Sequence, residues 1–276
     1  MNRITTAILL LLATCGLSSC LDVVKLDLPQ GQPLLVVEGQ VTDQPAPPIV
    51  LLSSTQAYFE GATPPPVRGA SLTLRDELGG TDALREIAPG RYVGSGALRG
   101  RIGGHYTLTI VADGQTYRAE TDLRRTPPID SLQVKLKTGE FGFDDGYYVL
   151  YNGPEPAGVG DYYRFKVFKN GVLLNKPEDL IVRSDELVDG RYIGDVEVNN
   201  KPFVRGDRVR VELNSIPADY FYFLNEVTTQ INNQGLFATS PANVRTNVKN
   251  VSGAAGKAAV GYFAGFTVRA DSVVIR

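Results

Sequence analysis

From Leu34 onward, apolar side chains alternate with polar ones in short runs broken by Gly, Pro, Asn and Asp, the period of strands with one face in water. The runs fall over 34–41, 49–53, 70–75, 83–87, 92–93, 106–111 and 116–121, and they predict a small β-sandwich across 34–125. Ala112-Asp113-Gly114-Gln115 joins the last two as a tight hairpin, and Pro64-Pro65-Pro66 stiffens the loop before the third. Two prolines in Arg124-Arg125-Thr126-Pro127-Pro128 end this pairing pattern. Alternation restarts at Ile129, so a second β domain is expected over 126–276. Its strands fall over 131–137, 147–151, 162–169, 192–198, 208–213, 261–268 and 272–275, with Asn170-Gly171 as a second hairpin turn. One stretch changes period. Tyr220, Leu224, Val227 and Ile231 recur at helical spacing and predict an amphipathic helix at about 217–233. Ser215 is its expected cap and Gln234-Gly235 its stop. Its Tyr220-Phe221-Tyr222-Phe223 face is expected to pack on a sheet rather than to form a ligand platform. Residues 237–257 show little period and read as a long loop.

The first nineteen residues follow another pattern. Arg3 precedes a short apolar core, and small residues lead to Leu17-Ser18-Ser19-Cys20. A membrane-spanning helix needs roughly 20 apolar residues, more than this core offers. The segment resembles a bacterial lipoprotein signal, which implies removal of 1–19 and acylation of Cys20 on its sulfur and its amine. Two or three acyl chains would hold the protein at the membrane essentially permanently. Cys15 leaves with the signal, so Cys20 has no disulfide partner in the mature chain. Residues 20–33 carry Pro29, Gly31 and Pro33 without a period, and read as a lipidated tether. Leu21 follows Cys20 in place of the aspartate that retains some lipoproteins in the inner membrane, which favours the outer membrane and leaves its face open.

Charge narrows the partners. The chain carries a net charge of −2, or −3 without Arg3, and offers no electrostatic case for nucleic acid or for anionic lipid. His105 is the single histidine and stands beside Gly103-Gly104 at a strand start, a turn position rather than that of a catalytic base. No serine sits in a Gly-x-Ser-x-Gly elbow, and zinc has no plausible ligand set. Gly94-Ser95-Gly96 and Gly158-Val159-Gly160 read as turns, not phosphate cradles. Glu140, Asp144 and Asp145 in one loop, and Asp185, Glu186 and Asp189 in another, are expected to be solvated, because neither set has the ladder of a calcium loop. Tryptophan is absent, so a sugar-stacking surface would rest on Tyr147, Tyr148, Tyr162 and Tyr163. No catalytic residue, cofactor or metal site is expected, and Cys20, as the lipidation site, is the one functional residue.

Two resemblances add to this reading. The spacing of Val67-Arg68-Gly69-Ala70, Pro89-Gly90-Arg91-Tyr92 and Gly104-His105-Tyr106-Thr107-Leu108 is similar to prealbumin-like carboxypeptidase regulatory domains, which implies a spacer or contact module without catalysis. Across nearly the whole mature chain, a longer set of motifs keeps order and spacing. It comprises Leu35-Val36-Val37-Glu38-Gly39-Gln40-Val41-Thr42-Asp43, Tyr162-Tyr163-Arg164-Phe165, Asp185-Glu186-Leu187-Val188-Asp189-Gly190, Gly206-Asp207-Arg208-Val209-Arg210-Val211-Glu212-Leu213, Pro241-Ala242-Asn243 and Gly261-Tyr262-Phe263. Together these resemble the Bacteroidota outer-membrane lipoproteins grouped as domain of unknown function 4249. The resemblance implies an outer-membrane lipoprotein of unassigned activity, of a kind suspected to serve a TonB-dependent β-barrel receptor; with the Cys20 motif, the two β modules and the lack of a catalytic set, the expectation is a non-enzymatic, lipid-anchored accessory of such a receptor in nutrient uptake. The alternative is a surface module that binds glycan or peptide, or mediates adhesion.

Overall fold

A computed structural model describes residues 32–56, 63–233, 242–253 and 257–276. Alternation along the chain becomes strands with one face inward. In β1 (Leu35–Thr42) the inward positions are Leu35, Val37 and Val41. β2 (Ile49–Ser54), β3 (Ser71–Asp76), β4 (Thr81–Ala88) and β5 (Arg91–Val93) follow. The hairpin of β6 (His105–Ala112) and β7 (Gln115–Asp122) turns through Asp113 and Gly114, both at positive φ (48° and 71°). These seven strands enclose a first core that includes Leu52, Leu74, Tyr92, Tyr106, Leu108 and Ile110. Tyrosines enter it without loss because their hydroxyls are bonded: Tyr92 donates to the Val67 carbonyl (3.0 Å) and Tyr106 to that of Arg99 (3.1 Å).

The second half supplies β8 (Ser131–Lys137), β9 (Gly146–Pro154), β10 (Tyr162–Lys169), β11 (Val172–Leu173), β12 (Ile181–Ser184), β13 (Tyr192–Glu197), β14 (Arg208–Ile216), β15 (Lys249–Asn250) and β16 (Ala259–Val274). β13, β9 and β8 form a three-stranded sheet in that order. It packs on one face of β10 and β14, where Tyr163, Phe165, Val211 and Leu213 meet Val149 and Tyr151 in a second core. The other face of the same strands is covered by α1 (Ala218–Asn232), over Ile216, Tyr262, Phe266 and Val268. The fold is thus mainly β and sandwich-like, with one long helix among the described residues. Ser215 does not cap that helix. It is buried in β14, where its N–H donates to Thr126 Oγ1 (3.1 Å), and Pro217, with φ fixed at −62°, takes the cap position. Gln234 and Gly235, the expected stop, lie outside the described residues, as do Cys20 and the signal.

β16 joins the two halves. Its first part runs parallel to β1, from Leu35↔Ala259 to Thr42↔Phe266, and its second part antiparallel to β14, from Ser215↔Thr267 to Arg208↔Val274. The result is one 13-stranded sheet. The two closing strands expected over 261–268 and 272–275 are therefore one strand, pinned at its end by Ile275 N–H on Asp207 O (2.9 Å). Glycine makes the parallel pairing fit. Gly261 sits at φ +90°, and a Cβ there would lie 2.1 Å from the Val37 carbonyl oxygen. Between the two cores the chain is stitched down. Thr126 Oγ1 donates to Thr267 O (3.0 Å) while accepting from Ser215, so 124–128 are held against β14 and β16. Pro33–Arg276 forms one compact unit. No helix among the described residues is long and apolar enough to cross a membrane.

Candidate functional site

Three strand ends meet at one point. Glu155 follows β9, Asp161 precedes β10 and Asp185 follows β12, and because β12 pairs with β10 (Tyr162↔Ser184) the last two acids are neighbours. All three are buried, at 5%, 8% and 1% exposure, and offer carboxylate oxygens within 4.8 Å of one another. Asp185, expected to be solvated, is thus in the interior; Glu140, Asp144, Asp145 and Glu186 are exposed and Asp189 half-buried. Asp185 is satisfied by backbone, its Oδ2 accepting from the N–H groups of Gly160 (2.9 Å) and Asp161 (3.1 Å). Glu155 Oε1 accepts from the Tyr163 hydroxyl (2.7 Å). Asp161 Oδ2 has no hydrogen bond, and the Arg125 guanidinium stands 3.7 Å away.

Electrostatics follow from this crowding. Burial raises the Glu155 pKa, the Tyr163 hydroxyl opposes it, and the charges of Asp161, Asp185 and Asp189 raise it further. Burial likewise raises Asp161, Arg125 pulling against it and Asp185 pushing with it. Tyr163 is driven strongly upward by burial and by Glu155. Glu155 and Asp161 are thus both raised above the ordinary carboxylate range, and the cluster's donor set of hard oxygens is of the kind that suits calcium or magnesium. Behind it lies a cavity of about 140 Å³ with Tyr151, Glu155, Tyr163 and Phe165 in its walls.

A second concavity, of about 500 Å³, lies between α1 and the outer face of β1, β2 and β16. Tyr220, Phe223, Tyr262 and Phe266 form its aromatic side and Arg164 its cationic one, with Arg164 Nη1 donating to the Tyr220 hydroxyl (3.1 Å). The four tyrosines considered for sugar stacking do not share a surface. Tyr148 and Tyr163 are buried, while Tyr162 packs against Phe221 (4.8 Å between ring centroids). His105 is exposed at the start of β6, paired with Asp122, its N–H donating to Glu77 Oε2 (2.8 Å), so the turn position expected for it is the first position of a strand. Motifs in the sequence do not single out Glu155 or Asp161, and they give Arg164 no role. The available signal was positional: each of the three clustered acids directly flanks a strand end.

These features define a mainly β, sandwich-like protein with a buried acid cluster and a helix-covered groove. Residues 22–272 match the family model described as Domain of unknown function (DUF4249), and the chain belongs to that family. No curated protein matches it.

Proposed function

We propose that this chain is a non-enzymatic outer-membrane lipoprotein of the Bacteroidota type, anchored through acylated Cys20 and serving as an accessory of a TonB-dependent β-barrel receptor. Leu17-Ser18-Ser19-Cys20, closing a short apolar segment, is the observation that carries the reading. Two features of the folded part support it. β1 begins at Leu35, so the residues after Cys20 can reach roughly 40 Å when extended, enough to hold the fold clear of the lipid surface. Val159 and Leu187 are exposed on loops tied together by the Gly158 N–H on Asp189 Oδ1 (2.6 Å), and Tyr192 is exposed at the start of β13, apolar side chains available to a protein partner.

Affinity purification of a C-terminally tagged form from mild-detergent outer membranes tests the partner. Near-equal recovery of a β-barrel receptor is the expected result, and recovery of the lipoprotein alone from receptor-rich membranes would overturn it. Anchorage is tested separately. Cys20→Ala should move the protein from the membrane fraction to a soluble or unprocessed form, and unchanged fractionation would remove the lipid from the account.

A further inference from the structure

A sheet face covered by a helix is ordinarily apolar, and the face under α1 carries two cations beside its apolar core of Ile216, Tyr262, Phe266 and Val268. Arg164 and Lys166 occupy alternate positions of β10 on that side, Arg164 reaching the Tyr220 hydroxyl and Lys166 Nζ lying 4.5 Å from the centroid of the Phe266 ring. Among the described residues, neither cation has a carboxylate within 4.0 Å. Glu212, opposite Lys166 in register, is engaged by Arg210 at 2.5 Å, and Glu38 stands exposed in the groove wall. Burial, reinforced by the charge of Arg164, pushes the Lys166 amine down to about 8. Directly opposite Arg164 on β14, Asn214 is 1% exposed, and neither its Nδ2 nor its Oδ1 has a hydrogen-bond partner. Arg164 Nε is buried and unpartnered as well. Buried donors and acceptors are almost always satisfied; of these residues Arg164 lines the groove beside α1, with Asn214 behind it in register, so the unmet hydrogen-bonding capacity that a polar group from outside the chain could reach is that of Arg164.

The groove beside Arg164 has the size of a small-molecule site, its 500 Å³ falling within the roughly 300–1,000 Å³ usual for ligand pockets. Its composition is also that of a ligand pocket, with a guanidinium at one wall and four aromatic rings around it. A planar, fork-shaped cation matches a carboxylate. Of the residues lining the groove, Arg91 adds positive potential at the β2 side and Glu38 is the one carboxylate, while Lys166 behind Phe266 is opposed by Glu212. We propose that this groove binds a small organic carboxylate with an aromatic or branched aliphatic body, its head on Arg164 and its body against Tyr220, Phe223, Tyr262 and Phe266. The site lies wholly within the described fold and does not depend on the membrane anchor or on the receptor partnership.

Because the chain lacks tryptophan, its ultraviolet emission comes from its tyrosines, and Tyr220 and Tyr262 both line the groove. Titrating the full chain with 3-phenylpropionate should give a saturable change in that emission. The neutral 3-phenylpropionamide and inorganic phosphate should each bind at least about tenfold more weakly, since one lacks the charge and the other the body. Arg164→Gln should cost a similar factor, with Arg205→Gln, an exposed cation elsewhere, as the unchanged control. Val227→Trp fills the groove from α1 while leaving Arg164 in place, and its binding is read by titration calorimetry because the new indole displaces tyrosine as the emitter. It should abolish binding, and it decides the matter if Arg164→Gln does not fold. Absence of saturable binding in the millimolar range, equal binding of the amide or of phosphate, or undiminished binding to the Val227→Trp variant would each overturn the proposal.

Discussion

Asp82 and Glu155 are both buried carboxyls, at 3% and 5% exposure, and their surroundings push them in opposite directions. Burial opposes ionisation of Asp82, but Ser95 N–H (2.9 Å), Ser95 Oγ–H (2.8 Å) and Gly96 N–H (3.1 Å) outweigh it and hold the carboxyl below its ordinary 3.8. Its contribution to stability is therefore present above pH 3.8 and lost as pH falls through the folded-state value. Glu155 behaves in the reverse sense. Burial raises it above 4.5, so its contribution is fully present below that pH and lost as pH rises through the folded-state value. Asp82→Asn should lower stability at neutral pH by roughly 1.5–3 kcal/mol, and the deficit should close on acidification. Glu155→Gln retains an acceptor for Tyr163 but removes a buried charge. It should raise stability at neutral pH, with the gain vanishing in acid. Urea unfolding of both variants across the acid range checks the pair, and a Glu155→Gln variant that loses stability at neutral pH would contradict the cluster's electrostatics.

At the scale of elements, the parallel ladder of β1 and β16 depends on Gly261. Alanine there would face an L-residue penalty of about 1–2 kcal/mol at φ +90° and a Cβ 2.1 Å from Val37 O, a contact only backbone movement relieves. Gly261→Ala should therefore cost roughly 2–4 kcal/mol. Gly114→Ala is the comparison, since its φ is +71° with nothing within 4 Å, and it should cost only the conformational part. Equal losses in urea unfolding would mean that close approach to Val37 does not matter. The same strand shows what the sequence could disclose. Strand alternation, the Asp113-Gly114 and Asn170-Gly171 turns and the helical spacing from Tyr220 are all local signals, and each of these elements forms. Parallel pairing of Gly39 with Phe263 is not local, and periodicity carries no distance. Its only trace was that both partners lay inside motifs, Val36-Val37-Glu38-Gly39 and Gly261-Tyr262-Phe263. Asp185 was misread for the same reason. A short run of acids looks solvated until β12 pairs with β10 and carries one of them inward.

For the whole molecule, β16 has a consequence no single core would produce. Phe263 is fully buried in the first core, while Val209, Val211 and Leu213 on the strand it pairs with farther along belong to the second. Thr126 ties the crossing segment to both β14 and β16. Melting of the first core would strip the first part of β16 of its parallel partner and of Phe263's packing, leaving β14 beside a frayed strand. The two cores should then unfold together. Leu108, fully buried in the first core, gives the test. Leu108→Ala should cost roughly 2–5 kcal/mol, as large-to-small changes in tight cores do. If the halves are coupled, hydrogen exchange of the Val211 and Leu213 amides, which belong to the distant core, should accelerate by the factor matching that loss. Acceleration confined to β6 and its neighbours, with β14 amides unchanged, would mean that the halves unfold independently and that β16 joins them without coupling them.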